Sequence, residues 1–501
     1  MPPPVFSGNT KVTVLLSATA NDQLTQFGLT FNSITLTDKF GKAFNLISGP
    51  QSAEFIHLNG SVEPLATVSI PQGVYSSAAA TVGYAYFTCD TVIPPTGTSP
   101  GSLLDATYAY GATPNSQVSL RLPSEITITG ENFGLVLNMA TAQSATLPSC
   151  YAAPGSSNPY SINPTLTVTP VVLAQGQNAE GSTEADLSGE ITAVNAGSNS
   201  FTMTLPDGQT LSASTASATV FQGVADFSAL TTGMFVNMDS AIQPDGSQLA
   251  ARIAVIDTNT TDLSVSIGPV LQTSLVGPTG AGPLGFFFSR QHQGLLTTNN
   301  EVSQIMRYYF SSASFQISGA LGNLQSLPFV PSFNASNVVP GQNVYLTTHV
   351  PDFSATMPAT TIMLVPQTIN GTVLASSSSG GFSVYTVELA PYDLFPNLAV
   401  QAGQPTLLTN PNEVNVYVDG STRRLNSTPL VAGSTLRFRG LVFNDNGALR
   451  MDCAQVNEGV KTNPQPNAEA QPMGGNTEVV HHSVTASSPQ GITTTTIVRW
   501  P

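Results

Sequence analysis

Short runs of alternating apolar and polar residues, separated by turn residues, recur along this 501-residue chain. Alternation with a period of two residues predicts β-strands that have one buried and one exposed face. Helical periodicity is nearly absent, because the two best stretches, residues 225–230 and 299–306, extend over a few turns at most. The pattern therefore predicts an all-β protein.

One order of strands occurs twice, in residues 188–257 and 369–457. Each copy has a short opening strand, a second β-rich strand, a polar crossing and a long hairpin. The hairpin turns at Asp245-Gly246 in the first copy and at Asn446-Gly447 in the second. A repeat of this length predicts small β modules in series rather than one large enzyme core.

A third, less regular copy lies between these two, in residues 262–367. In it, Gly341 takes the place that Gly233 and Gly433 have before the hairpin strand, while a Gly/Pro-rich insertion interrupts the pattern at 276–285. The N-terminal region, residues 11–173, instead contains seven or more short strands with turn signals at near-regular spacing. That pattern predicts an antiparallel β-sandwich.

The predicted fold is an N-terminal antiparallel β-sandwich, three small OB-like β-barrels and a flexible C-terminal tail with terminal strands. In chain order the parts are a Pro-rich linker (1–10), the sandwich (11–173), a linker (174–187), barrel 1 (188–257), a divergent barrel 2 (262–367), barrel 3 (368–457), a disordered linker (458–476) and terminal strands (477–501).

The terminal strands are expected to form a hairpin, and an isolated two-stranded hairpin is only marginally stable in water. We therefore expect it either to dock on a sheet edge of its own chain or to pair with another molecule. The residues expected to form this strand-addition segment are Val479, Val480, Ile492 and Ile497.

Composition narrows the classes of function. Charged residues make up only 9% of the chain, against roughly 25% in typical soluble domains. The net charge of −15 and the scarcity of lysine argue against nucleic acid and anionic membranes as partners. No stretch has the ~18 apolar residues that a transmembrane helix needs. The composition resembles that of exported proteins, so we expect an extracellular or cell-surface location, with the export signal absent from this sequence.

The chain has three cysteines. Cys89 and Cys150 both lie in the N-terminal region and are candidates for a disulfide in an oxidising environment. The alternative is that both are buried thiols acting as small apolar side chains. Cys453 lies in an apolar strand pattern and is expected in a core.

No catalytic or metal-binding motif is present. The five histidines show no HExxH arrangement and no ligand spacing with cysteine, and no G-x-S-x-G elbow occurs. Most acidic residues beside glycine, such as Asp245, Asp419 and Asp445, have the position that hairpin turns favour. We therefore expect no enzyme activity, no cofactor and no metal. A hydrolase that uses convergent carboxylates stays open as an alternative.

Aromatic residues are densest in two places, and their candidate interaction rings are Phe286, Phe288, Tyr308 and Phe310. Alternate members point to opposite faces of a strand, so one side is expected in the core. Rings exposed in a groove would favour stacking on carbohydrate or contact with protein.

Two resemblances follow from these motifs. The opening strand, a T-F-x-S-I strand at 30–36 and an I-P-x-G-x-Y element at 70–75 resemble a domain of unknown function that is common in exported bacterial proteins, many of them lipoproteins. The repeats, with G-x-[IV]-x-[AS], L-x-x-G and D/N-G, resemble a second exported domain of unknown function, a small OB-type barrel. The resemblance implies an exported bacterial protein and supplies no catalytic residues.

The pattern favours a non-enzymatic structural or adhesive protein of the bacterial cell surface, working through self-association, other surface proteins or glycans. A sharper hypothesis is self-assembly into a filament by addition of the C-terminal strands to another subunit. The alternatives are an array of carbohydrate-binding surface modules and a secreted hydrolase.

Overall fold

The computed structural model is all-β, as the strand pattern predicts. It describes residues 6–18, 24–56, 58, 62–93, 102–110, 116–130, 133–146, 161–173, 183–205, 209–272, 285–289, 292–295, 305–309, 313–319, 321, 324–349, 356–390, 393–399, 407–424, 428–459, 479–480 and 493–499. Most residues of the three predicted linkers lie outside these ranges.

The N-terminal region is a β-sandwich, as predicted. Its strands are β1 (Asn9–Ala18), β2 (Leu24–Asp38), β3 (Ala43–Asn45), β4 (Gln51–Glu54), β5 (Glu63–Pro71), β6 (Gly73–Ile93), β7 (Ser102–Tyr110), β8 (Ser116–Leu120), β9 (Ile126–Ile128), β10 (Phe133–Met139), β11 (Ala145–Thr146), β12 (Ser161–Ile162) and β13 (Leu166–Val172). One short helix, α1 (Thr141–Ser144), precedes β11.

Two sheets enclose the sandwich core. One has the order β13-β10-β1-β5, and the other contains β3-β2-β6-β7 with β4, β8 and β9 attached. Apolar side chains of both sheets form one cluster, in which the rings of Phe27 and Phe87 stack 6.5 Å apart. Pairing between the strands is antiparallel except between β1 and β10, and an isolated parallel bridge joins Arg121 to Thr167.

The first repeat is a closed five-stranded barrel, as predicted. Its strands are β14 (Thr183–Asn195), β15 (Ser200–Thr204), β16 (Thr210–Gln222), β17 (Phe235–Ile242) and β18 (Gln248–Asp257), with a 3₁₀ turn at Phe227–Ala229. Numbered one to five, the strands close in the order 1-2-3-5-4-1, and strands 3 and 5 run parallel. This is the Greek-key barrel of an OB-fold.

The middle copy has the same strand order in interrupted form. Its strands are β19 (Leu263–Gln272), β20 (Gly285–Ser289), β21 (His292–Leu295), β22 (Ile305–Tyr309), β23 (Ser314–Ile317), β24 (Asn343–His349), β25 (Thr356–Pro358) and β26 (Thr361–Leu364). β22 and β23 take the place of strand 3, and β25 and β26 that of strand 5, with parallel pairing between them. β24 then pairs with both β26 and β19, which completes the ring.

The last repeat is again a closed barrel. Its strands are β27 (Gln367–Ser379), β28 (Phe382–Leu389), β29 (Glu413–Val418), β30 (Arg423–Arg424), β31 (Thr435–Asp445) and β32 (Ala448–Glu458), with α2 at Leu394–Ala399. Pairing of β29 with β32 closes the ring, and β30 lies beside β32. Two terminal strands follow, β33 (Val479–Val480) and β34 (Thr493–Arg499).

A glycine precedes strand 4 in all three barrels, as the alignment of Gly341 with Gly233 and Gly433 predicts, and the structure gives each of them a positive φ. Their φ values are +95°, +84° and +86°, a conformation that side chains disfavour. Each glycine N–H donates at 2.8 Å to a strand-1 carbonyl, and the pairs are Gly233–Ile191, Gly341–Val270 and Gly433–Val373. The three copies therefore share this glycine conformation and hydrogen bond as well as one topology.

A second glycine lies two residues before each of those acceptors, at Gly189, Gly268 and Gly371. Next to each acceptor, strand 1 shifts register by one residue, which is a β-bulge. A Cβ atom on Gly189 would lie 2.6 Å from the Thr204 carbonyl oxygen, so strand 2 approaches too closely for any side chain. This steric contact explains the G-x-[IV] motif.

Candidate functional site

The edge of the N-terminal sheet at β7 is completed by a strand from the far end of the chain. β34 pairs with β7 antiparallel over seven residue pairs, from Thr493 opposite Tyr108 to Arg499 opposite Ser102. β33 pairs with the outer side of β34. Residues more than 380 positions apart in sequence thus share one sheet, in which β34 extends the row β3-β2-β6-β7.

Three of the four predicted strand-addition residues lie in these strands. Val480 is opposite Ile497, and Val479 is opposite Val498. Ile492 lies outside the described residues. The terminal strands therefore dock on a sheet edge of their own chain, which is one of the two outcomes that the sequence leaves open.

The edges of the other sandwich sheet are protected by different means. At β5, the side-chain amide of Gln209 in the first barrel donates to the carbonyl oxygens of Pro64 at 2.9 Å and Leu65 at 3.1 Å. At β13, Pro170 has no N–H to offer an added strand. An unpaired edge is a template for another strand, and β34 pairs with the edge at β7.

A buried ion pair stabilises the outer face of the first barrel against the second. Arg252 donates from Nε to Asp239 Oδ2 at 2.7 Å and from Nη2 to Asn237 Oδ1 at 2.5 Å. Asn237 in turn donates to the Ser188 hydroxyl at 3.1 Å. Gly319 of the second barrel covers the arginine, because a Cβ there would lie 2.9 Å from Arg252 Cδ.

His349 joins the same two barrels at their rim. Its Nε2 lies 2.8 Å from Asp257 Oδ2 at the end of β18, and its Nδ1 lies 2.9 Å from the Thr261 carbonyl oxygen in the connection. Both partners only accept hydrogen bonds, so the ring satisfies both when both nitrogens carry protons. Burial lowers the pKa of His349, but the bonds to Thr261 and Asp257 and the charge of Asp262 outweigh burial and raise it above 6.5.

This geometry predicts a pH-dependent joint. Stabilisation by imidazolium is complete below pH 6.5 and is lost as the pH rises through the raised pKa of the folded state. The difference in melting temperature between the native chain and His349→Gln, followed from pH 5 to 9, is expected to be largest in acid and to shrink above neutrality. A difference that grows with pH would contradict the assignment.

The second and third barrels meet at an aromatic face of the third. The strap, defined as residues 324–333, places Phe329 with its ring centroid 5.0 Å from that of Tyr417 and 5.8 Å from that of Phe443. The guanidinium of Arg450 lies 5.2 Å from the Phe329 ring centroid and forms an ion pair with Asp445 at 2.7 Å. All three rings are at most 9% exposed.

This face is the place where OB-folds hold ligands, since it lies on strands 2 and 3 beside the loops 1–2 and 4–5. Loop 1–2 is covered too, because a Cβ on Gly380 would approach Pro328 of the strap to 3.0 Å. The side-chain amide of Gln342 adds a bond to the Val442 carbonyl oxygen at 2.8 Å. In the third barrel, the face that corresponds to the ligand-binding face of OB-folds therefore packs against the second barrel.

The corresponding face of the first barrel carries hydroxyl groups. Its outward residues on strands 2 and 3 form three cross-strand rows, Ser200–Ser214, Thr202–Ser212 and Thr204–Thr210. Aromatic rings, on which sugars and bases stack, are missing from these rows. The loop 4–5 of this barrel contacts the sandwich, where a Cβ on Gly246 would collide with Thr67.

One predicted interaction aromatic is corrected. Tyr308 is 0% exposed and packs in the core of the second barrel with Val344 and Leu346, so its ring faces inward and offers no surface to a partner. The side chains of Phe286 and Phe288 and all of Phe310 lie outside the described residues, and their predicted role stays a prediction.

The cysteines divide in the same way. Cys453 is buried in the core of the third barrel, as predicted, and burial raises the pKa of its thiol. Cys89 lies on β6, with its side chain outside the described set, and Cys150 lies outside it altogether, so their disulfide stays a prediction.

Turn hydrogen bonds engage the carboxylates of Asp245 and Asp419. Asp245 Oδ1 accepts bonds from the N–H and hydroxyl of Ser247, and the pKa of Asp245 is lowered chiefly by that hydroxyl. Asp419 accepts the same two bonds from Ser421. Within the described ranges there is no group of three or more His, Cys, Asp or Glu side chains suited to a metal ion. None of the helices in those ranges has the length and apolar character to cross a membrane.

Comparisons with known proteins add little to this geometry. No family model matches the chain, and no curated protein matches it. A solved structure described as Drosophila Unr CSD456 matches at 11% identity over 56% of this chain and 99% of that chain, with a TM-score of 0.13. At that TM-score the match supports no inference, and the OB-type assignment rests on strand order alone.

Proposed function

We propose that this chain is a non-enzymatic, exported structural protein that assembles with further copies by exchanging its C-terminal strand. The observation that carries the proposal is the pairing of β34 with β7 over seven residue pairs. A strand supplied by another copy would make the same seven pairs. The closed monomer and the exchanged assembly therefore contain the same strand pairs. Higher protein concentration favours the assembly, and the two forms differ in the path of the segment between β32 and β33.

Three further features support a structural role. The barrels present their faces to one another and to the sandwich, as the contacts of Phe329, Gln342 and Gln209 illustrate. A chain with only 9% charged residues loses little charge hydration when like molecules pack together. The aromatic face of the third barrel is covered, which favours a structural role over an array of glycan-binding modules.

Truncation tests the proposal. The full chain is expected to form large ordered particles at high concentration, visible by light scattering and negative-stain microscopy. A chain that ends after Gly459 keeps all of β32 and lacks β33 and β34, and it is expected to lose the large ordered particles and to form small oligomers at most. Particles of equal size and order in both proteins, or monomers in both, would contradict strand exchange.

A single substitution tests the same proposal without removing any residues. Thr495→Pro removes a backbone N–H from the middle of β34, opposite Ala106, and proline is poorly tolerated within a paired strand. Assembly is expected to fall as it does on truncation. Thr495→Val is the matched control, because valine keeps the N–H and favours strands, and it should assemble normally.

A further inference from the structure

The turn between β2 and β3 exposes an aromatic ring between two lysines. Phe40 at its tip is 83% exposed. The Lys39 ammonium lies 5.1 Å from the centroid of the Phe40 ring, and that of Lys42 lies 5.0 Å from the centroid of Phe44. We call Lys39, Phe40 and Lys42 the tip. An exposed ring flanked by two ammonium groups offers both apolar and cationic contacts to a partner.

Hydrogen bonds hold the backbone of the tip in place. The Asp38 carboxylate accepts bonds from the N–H groups of Phe40 at 2.8 Å and Lys42 at 2.9 Å. The backbone adds bonds from Asp38 N to the Lys42 carbonyl and from Gly41 N to the Asp38 carbonyl. A pre-ordered tip binds a partner without the entropy loss of ordering a loop.

The tip is also unusual in charge. The chain has 29 acidic and 14 basic residues, and two of its four lysines stand at this one turn. The Asp38 carboxylate beside them is engaged by backbone N–H groups. The chemistry of the tip therefore fits a surface that offers carboxylates beside an apolar residue.

The third barrel carries such a surface. Glu388 on β28 and Glu413 on β29 are direct cross-strand partners and point outward, because Val387 and Val414 beside them face the barrel core. Like charges directly opposite each other destabilise a sheet. Among the described residues no cation forms an ion pair with either glutamate.

An apolar residue adjoins this pair. Thr372 on β27 is opposite Glu388, and Leu374, two positions further on at the bulge, is 43% exposed. We call Glu388, Glu413 and Leu374 the acidic face. Its two carboxylates and one apolar side chain match the two ammonium groups and one ring of the tip.

The geometry points to a second self-association contact, in which the tip of one copy docks on the acidic face of another. Lys39 and Lys42 would relieve the repulsion between Glu388 and Glu413, while Phe40 covers Leu374. The two surfaces lie on different parts of the chain, so the contact is heterologous and propagates from copy to copy. It uses no residue of β7 or β34 and is therefore separate from strand exchange.

A charge swap in the full chain tests this contact. One variant carries Lys39→Glu and Lys42→Glu, and the other carries Glu388→Lys and Glu413→Lys. Sedimentation velocity at low salt is expected to show self-association weakened about tenfold or more in each variant alone. An equimolar mixture is expected to regain it, because the acidic tip of one variant then meets the basic face of the other.

Apolar variants complete the test. Phe40→Ser is expected to weaken association similarly, whereas Val172→Ser, which removes another highly exposed apolar side chain at 78% exposure, should not. Unchanged association in the charge variants, or no recovery in the mixture, overturns the contact. If Phe40→Ser alters only binding to phosphatidylglycerol vesicles, the tip faces lipid and the contact is equally overturned. Cross-linking of β7 to β34 in the same variants reports separately on strand exchange.

Discussion

Replacing Gly371 with alanine is expected to destabilise the third barrel by about 3 kcal/mol or more, at the upper end of what overpacking costs. A Cβ at this position would lie closer than 3.0 Å to the Glu388 carbonyl oxygen and to a Val387 methyl group. The Glu388 carbonyl belongs to the backbone of β28, which pairs with β27, so it cannot rotate away as a side chain would. Strand 1 would have to separate from strand 2 at the bulge.

Amide hydrogen exchange in β28 and β31 measures this effect without requiring that the whole chain unfold in one step. Exchange in both strands is expected to accelerate in Gly371→Ala. Gly420→Ala is the matched control, since it lies in the same barrel at a turn with nothing within 4 Å of its Cβ position. Equal exchange in the two variants would show that the G-x-[IV] motif has no steric basis.

Removal of Asp239 is expected to have an effect of similar size. Asp239→Ala leaves the guanidinium of Arg252, 4% exposed, buried without this carboxylate, and breaking one side of a buried pair typically costs about 3–5 kcal/mol. The loss should appear in the first barrel and at its contact with the second, because Arg252 lies under Gly319.

A double variant separates the charge from the packing. Asp239→Leu with Arg252→Met replaces the pair by apolar side chains and is expected to cost less than Asp239→Ala alone, since no charge is then left buried. Thermal unfolding of the three proteins gives the order. A double variant less stable than Asp239→Ala would contradict the assignment of the loss to an uncompensated buried charge.

Much of the fold could be predicted from the sequence, because the repeats depend on local rules. The positive φ at Gly233, Gly341 and Gly433 and the hairpin turn at Asn446-Gly447 are set by residues a few positions apart. The divergent second barrel is recognisable from the sequence by Gly341. Its opening motif at Gly268 does not stand out, because Pro269 and the following insertion interrupt the strand pattern there.

The contacts between parts of the chain could not be predicted in the same way. The strap appears in the sequence only as an apolar, Pro-containing segment, and nothing local shows that Phe329 meets Tyr417 and Phe443. The parallel pairing of β1 with β10 and the docking of β34 on β7 are equally non-local. For the candidate site, sequence reasoning found the donor strand and left the acceptor edge open.

Cross-linking between β7 and β34 in mixed samples tests the central claim most directly. Thr107 and Thr494 are opposite each other in the two strands. Chains carrying Thr107→Cys alone are mixed with chains carrying Thr494→Cys alone, assembled and oxidised. Strand exchange predicts disulfide-linked heterodimers that neither variant forms by itself. A chain that carries both Thr107→Cys and Thr494→Cys serves as the control. If this chain cross-links within itself while the mixture gives no heterodimers, the C-terminal strand stays with its own sheet and assembly by exchange is contradicted.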